Sequence, residues 1–441
     1  MPVCGIPCSH NPFVRFRSAP NYAILWGKKY HMKEGNTMWE KDININEVRE
    51  IRSRTLVYFG VGAIAKIADI CKDLKARGIN KVLVMTGRGA YKKTGAWDHV
   101  TKAFETTGMQ YVHYDQVTPN PNTHHVNDAV KMAHDFGAQA VIAIGGGSAI
   151  DAGKSAAILL KYPGKTAEDL YTFQFAPSEA APIIAINLTH GTGSEANRFA
   201  VVSIEEKNFK PAIAYDCIYP LYSIDDPALM TGLAENQTRY VSIDAVNHVV
   251  EAATTKVASP YAIDLAISVV KLVAEYLPVA LKDPKNLEAR YFLAYAALAA
   301  GIAFDNGMLH YTHALEHPLS GVNPNLTHGL GLAMLLPAVL KNIYPARPAT
   351  LADVLAPIVP GLKGCGCEAE KVAEGVEKWL FSVGSTHKLL DEGFKAEDVD
   401  KLVELAFNTP SLDGLLGLAP TEATKEAVRA IYTESLKPCH K

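Results

Sequence analysis

Apolar positions fall into two textures along the chain. Between about residues 55 and 226, short apolar runs alternate with stretches of helical period. Thr55–Tyr58 is a short apolar run that ends at Gly60 and Gly62, and AIAKIADICKDLKARG after it has helical spacing up to Gly78. KVLVMT (81–86) reads as a strand buried on both faces. A helix over Ala96–Thr106 leads to a strand at Gln110–Tyr114. Asn122 is placed to cap a helix ending near Gly137, and AVIAI (140–144) runs straight into Gly145. Strands that alternate with helical patterns of about 10–15 residues predict a parallel α/β sheet with right-handed crossovers.

After Asp226 the strand-like runs fade. TRYVSIDAVNHVVEAATT, DLAISVVKLVAEYL, EARYFLAYAALAAGIAF and AEKVAEGVEKWLFSVG all carry a helical period. The organisation expected is an extension over residues 1–50, partly disordered, an α/β domain over 51–226 and a helical domain over 227–441. The extension has no clear period, and Met38 within it is a candidate natural start.

Composition narrows the classes of function. The 441 residues are 48% apolar and 20% charged, with a net charge of −3. No basic field exists to hold a phosphate backbone, so no nucleic-acid partner is expected. The longest apolar stretch, Tyr291–Phe304, is short for a bilayer span, and the first residues lack the apolar core of a secretory signal. Seven cysteines, odd and sparse, fit free thiols in the cytoplasm better than a disulfide framework, and Cys365-Gly-Cys367 alone is a weak metal motif.

Two glycine-rich turns carry candidate chemistry. Gly145-Gly146-Gly147-Ser148 follows a strand and opens a helix that continues through Asp151 to Lys154. Glycines let a bound group approach the backbone, and a helix N-terminus offers free N–H groups and partial positive charge, which together suit a pyrophosphate. The segment is near a P-loop but has Ser148 where that loop needs glycine, which leaves a P-loop-like nucleotide-binding scaffold as a runner-up. The second turn, Thr189-His190-Gly191-Thr192-Gly193-Ser194-Glu195, follows another apolar run and is expected to line the same groove.

Five of the fifteen histidines are concentrated with one acid. Asp244 and His248 are i and i+4 on a helical stretch, as are His313 and His317, and His310 and His328 lie close by in sequence. Helical i, i+4 pairs put two donors on one face, and one carboxylate with three imidazoles is a usual set for a divalent transition metal. Spacing alone leaves open which four bind, because His310 and His317 compete.

Together these motifs resemble the iron-containing (group III) alcohol dehydrogenase family over residues 55–435. GGGSAIDAGK is similar to that family's GGGS-x-x-D-x-x-K turn, NLTHGTGSE to its PTTAGTGSE segment, DAVNHVVE to its D-x-x-x-H-x-x-E helix, and HALEHPLSGVNPNLTHG to its H-x-x-x-H-P-x-x-G…HG stretch. The resemblance implies a dehydroquinate synthase-like two-domain architecture with the active site in the cleft. It implies Asp244, His248, His313 and His328 as metal ligands and His317 as a neighbouring proton-handling residue. Gly145, Gly146, Gly147, Ser148 and Asp151 would hold the dinucleotide, with Thr189, Thr192 and Lys210 completing the groove. Gly87 stands where NAD-using relatives carry Asp, and Arg88 follows it, so the coenzyme is NAD with NADP admitted. Fe²⁺ is the ion expected, and Zn²⁺ suits the same donors.

The implied activity is an NAD(P)-linked alcohol dehydrogenase or aldehyde reductase acting on a small molecule of two to four carbons. His190, Arg198 and His310 are candidates to supply positive charge for an anionic or hydroxylated substrate, such as sulfoacetaldehyde or lactaldehyde. A metal- and NAD-dependent lyase or cyclase of the dehydroquinate synthase type is the alternative, and a homo-oligomer is expected. His190, with Asn187, Leu188 and Asn197, departs from the family pattern.

Overall fold

A computed structural model describes residues 38–43, 47 and 49–439. Six parallel strands form the main sheet: β1 (Leu56–Phe59), β2 (Lys81–Gly87), β3 (Gln110–Val117), β4 (Ala140–Gly145), β5 (Ile183–Asn187) and, after a small antiparallel pair β6 (Phe199–Val201) and β7 (Ala212–Ala214), β8 (Tyr222–Asp225). Their spatial order is β1-β8-β5-β4-β2-β3. Central strands β4 and β5 are buried throughout, whereas edge strand β1 is half exposed, as the unbroken apolar runs at 140–144 and 182–186 require. The helices of this half are α1 (Ile67–Ala76), α2 (Ala90–Lys93), α3 (Ala96–Thr107), α4 (Thr123–Phe136), α5 (Gly147–Leu159) and α6 (Ala167–Tyr171). Asn122 caps α4 by accepting from the His125 amide at 3.1 Å.

The order contains a reversal. The chain moves outward from β2 to β3 and then returns across β2 to β4. Ligands of open parallel sheets bind at such a switch point, beyond the carboxyl ends of the strands. Here those ends are Gly87 and Gly145.

From Glu235 onward the described chain is helical: α7 (Glu235–Ala252), α8 (Pro260–Lys282), α9 (Leu287–Gly307), α10 (Tyr311–Val322), α11 (His328–Ile343), α12 (Pro348–Leu355), α13 (Ala369–Ser382), α14 (Val399–Asn408), α15 (Leu412–Gly417) and α16 (Lys425–Glu434). Their apolar faces form the largest core cluster of the protein. The stretch read as Tyr291–Phe304 grows into the 21-residue α9, long and apolar enough to cross a membrane by length and composition. Two-thirds of that window is buried inside the protein, where its apolar surface already has partners.

Part of the extension has a place in the fold, and one expectation changes. Within the predicted extension, residues 38–43 dock onto α12: the Trp39 amide donates to Asp353 at 2.8 Å, and Asp42 accepts from Thr350. Residues 1–37, with Cys4 and Cys8, lie outside the described residues. Cys365 and Cys367 are joined as a disulfide rather than free, while Cys71, Cys217 and Cys439 are thiols.

The two halves meet through bare backbone. A Cβ built on Gly301 of α9 would fall 2.6 Å from Gly193 Cα, and one on Gly191 would fall 2.7 Å from the Val241 side chain of α7. Replacement of Gly301 by alanine must push the turn off the helix and is expected to cost about 2–3 kcal/mol. Gly414→Ala, with open space around its Cβ, is the control and should change stability by less than about 1 kcal/mol. Urea unfolding midpoints of the two variants check this, and equal midpoints would refute it.

Candidate active site

Asp244 and His248 lie one turn apart on α7, and His313 lies in the first turn of α10, while His328 is the first residue of α11. Asp244 Oδ1 is 3.5 Å from His248 Nε2, 3.5 Å from His313 Nε2 and 3.8 Å from His328 Nε2. Metal–ligand bonds of about 2.0–2.2 Å place tetrahedral donors about 3.3–3.6 Å apart, so Asp244 stands at ligand spacing from His248 and His313, which group together, with His328 Nε2 slightly further out at 3.8 Å. Asp244 Oδ1 and His313 Nε2 are buried with no hydrogen-bond partner, a costly state unless a cation sits between them. Burial alone would raise the Asp244 carboxyl, but the surrounding imidazoles of His248, His313 and His328 hold it at about 2. The residues present therefore fit a divalent metal.

Outer carboxylates orient the rings. His313 Nδ1 is hydrogen-bonded to Glu251 Oε2, and His328 Nδ1 to Glu316 Oε2. Each bond fixes the tautomer that leaves Nε2 free for a metal. Glu251 does a second job: its Oε1 accepts from the amides of His310, Thr312 and His313, at 3.2, 2.6 and 3.3 Å, and so caps α10. His248 has no such carboxylate behind it; its ring is sandwiched between Phe304 and His313. Glu251 and Glu316 were given no role by the sequence reading. The signal was present, since Glu251 follows His248 by three residues on α7 and Glu316 follows His313 by three on α10.

A second grouping, Glu316, His317 and His328, also brings donors together. Lys210 Nζ lies 3.2 Å from Glu316 Oε2 and 3.3 Å from His328 Nδ1, and that ammonium disfavours a second cation there. Lys210, expected along the dinucleotide, thus has its polar partners at the histidine cluster. His317 sits one turn beyond His313, buried, with Nδ1 unpartnered and its ring 5.9 Å from that of His328.

The glycine turn is as expected in form. Gly145 ends β4, Gly146 is the N-cap of α5 without a side-chain cap, and Gly147 and Ser148 form its first turn. A Cβ on Gly146 would meet the Thr189 side chain at 2.8 Å, and one on Gly147 would meet Thr192 at 2.6 Å. The two turns therefore pack against each other at the switch point. An open helix N-terminus flanked by threonine hydroxyls fits a pyrophosphate.

Asp151 and Lys154 turn inward instead. Asp151 accepts from Ser194 Oγ at 2.5 Å and from the Val201 amide at 3.0 Å, so it braces the second turn rather than standing free for a ligand. Lys154 donates to Ser194 Oγ, Asn197 O and Phe199 O. Its ammonium is buried, which lowers it to about 8, and it is not available to phosphates as a P-loop lysine must be. That removes the P-loop scaffold.

The three residues expected to attract an anionic substrate are otherwise engaged. His190 is fully buried, accepts from Arg290, and is held neutral by burial, at about 3. His310 accepts from the Tyr311 amide through Nδ1, contacts Thr254 through Nε2, and is lowered by burial to about 4. Arg198 pairs with Asp216 at 3.2 Å and Asp305 at 3.6 Å.

Comparison with known proteins agrees with this geometry. The family described as iron-containing alcohol dehydrogenase matches residues 55–227, and its C-terminal domain family matches 238–436. The chain is 59% identical over 398 residues to long-chain primary alcohol dehydrogenase AdhA of Thermoanaerobacter ethanolicus, covering 90% of this chain and 100% of that one. It is 31% identical to 1,3-propanediol dehydrogenase of Klebsiella pneumoniae, covering 86% and 96%. NADH-dependent butanol dehydrogenase A from Thermotoga maritima superposes with a TM-score of 0.82 at 29% identity, covering 89% of this chain and 99% of that structure.

Glu251→Gln removes the charge behind His313 while keeping the side chain's shape. Metal affinity is expected to fall about 10–100-fold. Chelator competition followed by elemental analysis measures it, and wild-type affinity in the variant would overturn the role of Glu251.

Proposed function

The chain belongs to the iron-containing alcohol dehydrogenase family, and we propose that it interconverts unbranched, uncharged primary alcohols and their aldehydes with a nicotinamide coenzyme. The observation that carries this reading is the convergence of Asp244, His248, His313 and His328 beside the paired glycine turns. When bound there, a divalent ion, Fe²⁺ by family, would supply Lewis acidity and a nicotinamide coenzyme would supply hydride-transfer chemistry.

The chain's own residues divide the remaining work. Asp244 and the three histidines hold the ion, with Glu251 and Glu316 fixing the rings. The α5 N-terminus with Gly145, Gly146, Gly147 and Ser148 binds the pyrophosphate, and Thr189 and Thr192 wall the groove. His317, next to the ligand set, carries the hydroxyl proton; burial and the Lys210 ammonium hold its ring well below the ordinary value, so it starts neutral and readily passes on a proton it takes. Phe304, stacked on His248 at 4.5 Å, and Phe199, 5.2 Å from Phe304, give the site an aromatic side. With His190, His310 and Arg198 all committed elsewhere, an alkyl chain suits this site better than an anion. The long-chain primary alcohol dehydrogenase named for the relative supports that choice. A homo-oligomer is proposed on the same family grounds.

The test is an anaerobic assay of protein loaded with Fe²⁺ or Zn²⁺, following NADH and NADPH with straight-chain aldehydes from acetaldehyde to decanal, and with sulfoacetaldehyde. Metal-dependent oxidation of coenzyme by the alkyl aldehydes, with sulfoacetaldehyde poor, is expected. His317→Ala should retain its metal and lose at least about tenfold in kcat. No turnover by protein shown to bind both metal and coenzyme would end this reading.

Coenzyme choice is expected to rest on Gly87, at the carboxyl end of β2. A carboxylate there would bond the ribose hydroxyls and repel a 2′-phosphate. Gly87→Asp should shift the NADH to NADPH ratio of kcat/KM at least about tenfold toward NADH, the equivalent of about 1.4 kcal/mol. An unchanged ratio places the discrimination elsewhere.

A further inference from the structure

His190 stands where the family's pattern has a small residue, and the structure gives it two side-chain hydrogen bonds, to Arg290 and Ser242, in place of a substrate contact. Arg290, in the first turn of α9, is fully buried. Its Nη1 donates to His190 Nε2 at 2.8 Å and to Thr238 Oγ1 of α7 at 2.8 Å, and its Nε donates to Pro284 O at 3.0 Å. Because Nε2 of His190 accepts, the proton lies on Nδ1, which faces Ser242 Oγ of α7 at 3.3 Å. No carboxylate pairs with the guanidinium in this network; every partner is neutral.

The placement matters because of what each end holds. His190 lies between Thr189 and Thr192, the two side chains pressed on Gly146 and Gly147. Ser242 precedes Asp244 by two residues, and α7 also carries His248. We propose that His190 and Arg290 form a positioning bracket that sets the distance between the coenzyme turn and the metal ligands of α7. This rests on the function proposed above. His190 is a positioning residue, touching neither coenzyme nor substrate. Here two hydrogen-bonded rows add to the glycine contacts that hold the turn. Hydride transfer needs reacting atoms within a narrow range, and displacement by about 1 Å can cost about 100-fold in rate.

The test compares His190→Leu, which fills the space without an acceptor, with His190→Gln, which restores an acceptor near the Nε2 position. Ser242→Ala, a smaller lesion, serves where His190→Leu does not fold. Two readouts are taken on metal-loaded protein: the primary deuterium isotope effect on kcat with deuterated NADH, and hydrogen–deuterium exchange of residues 187–195 and 236–244. His190→Leu is expected to lower kcat about 10-fold or more with a raised isotope effect, while metal content and coenzyme Kd stay within about twofold. Exchange should quicken in both segments together, and His190→Gln should recover most of each loss. A variant that melts earlier yet keeps the wild-type isotope effect, or exchange that quickens in only one segment, overturns the bracket. Wild-type protein without turnover defeats the proposed function instead, and the exchange experiment still decides whether the two segments are coupled.

Discussion

The seam between the sheet and the helices depends on backbone touching backbone. The second glycine turn is pressed on one side against the first turn, through Thr189 and Thr192, and on the other against α7 and α9, through Gly191 and Gly193. Neither side tolerates a Cβ without movement. Gly193 also has a φ of +58°, the left-handed region that favours glycine. Since α7 carries Asp244 and His248, and α9 carries Phe304 against His248, the position of the ligand cluster relative to the coenzyme crevice follows from this contact. Most loops are surface features with room to vary; this one is buried for much of its length and acts as a spacer.

Charge accounts for the second layer of the site. Asp244, Glu251 and Glu316 are buried carboxylates, and Lys210 is the buried ammonium among them. Three negative charges against one positive leave a net of two negative, with the histidines neutral as ligands. A divalent ion makes the cluster neutral, which is the condition under which so many ionised groups remain buried at moderate cost. Lys210 reads differently in this light than as a coenzyme contact: it offsets Glu316, so that Glu316 can orient His328 without adding surplus negative charge. Nothing in this balance separates Fe²⁺ from Zn²⁺, because both are divalent and both accept imidazole and carboxylate.

What could be read in advance, and what could not, divides along the range of the interactions. The sheet and its crossovers were legible because burial on both faces leaves unbroken apolar runs, as at AVIAI. Of the proposed donor set, i, i+4 spacing pairs Asp244 with His248; preferring His313 and His328 over His310 and His317 rests on the family resemblance. Spacing cannot say which ring nitrogen faces inward. That depends on Glu251 and Glu316, whose reach spans from α7 to α10 and from α10 to α11. Asp151 misled for a related reason: it sits in a motif beside a ligand cradle, yet α5 turns it toward Ser194 and the Val201 amide. His190 misled because a histidine in a glycine-rich turn looks free until Arg290, a hundred residues later, is seen to hold it.

Two of the buried cations, Lys210 and Arg290, show how differently one charge is used. Lys210 has a carboxylate within 3.2 Å and acts on the electrostatics of the metal cluster. Arg290 has only a carbonyl, a hydroxyl and a neutral imidazole; burial lowers it to about 10, which still leaves it cationic near neutral pH. A guanidinium spreads its charge over a planar fork and is weakly hydrated, so it withstands such surroundings better than an ammonium does. Its fork can also address two elements at once, here the turn through His190 and α7 through Thr238. A carboxylate in place of His190 would have bound Arg290 more strongly, but it would have put another negative charge behind the coenzyme turn, where a pyrophosphate must come. A neutral acceptor gives the geometry without that repulsion.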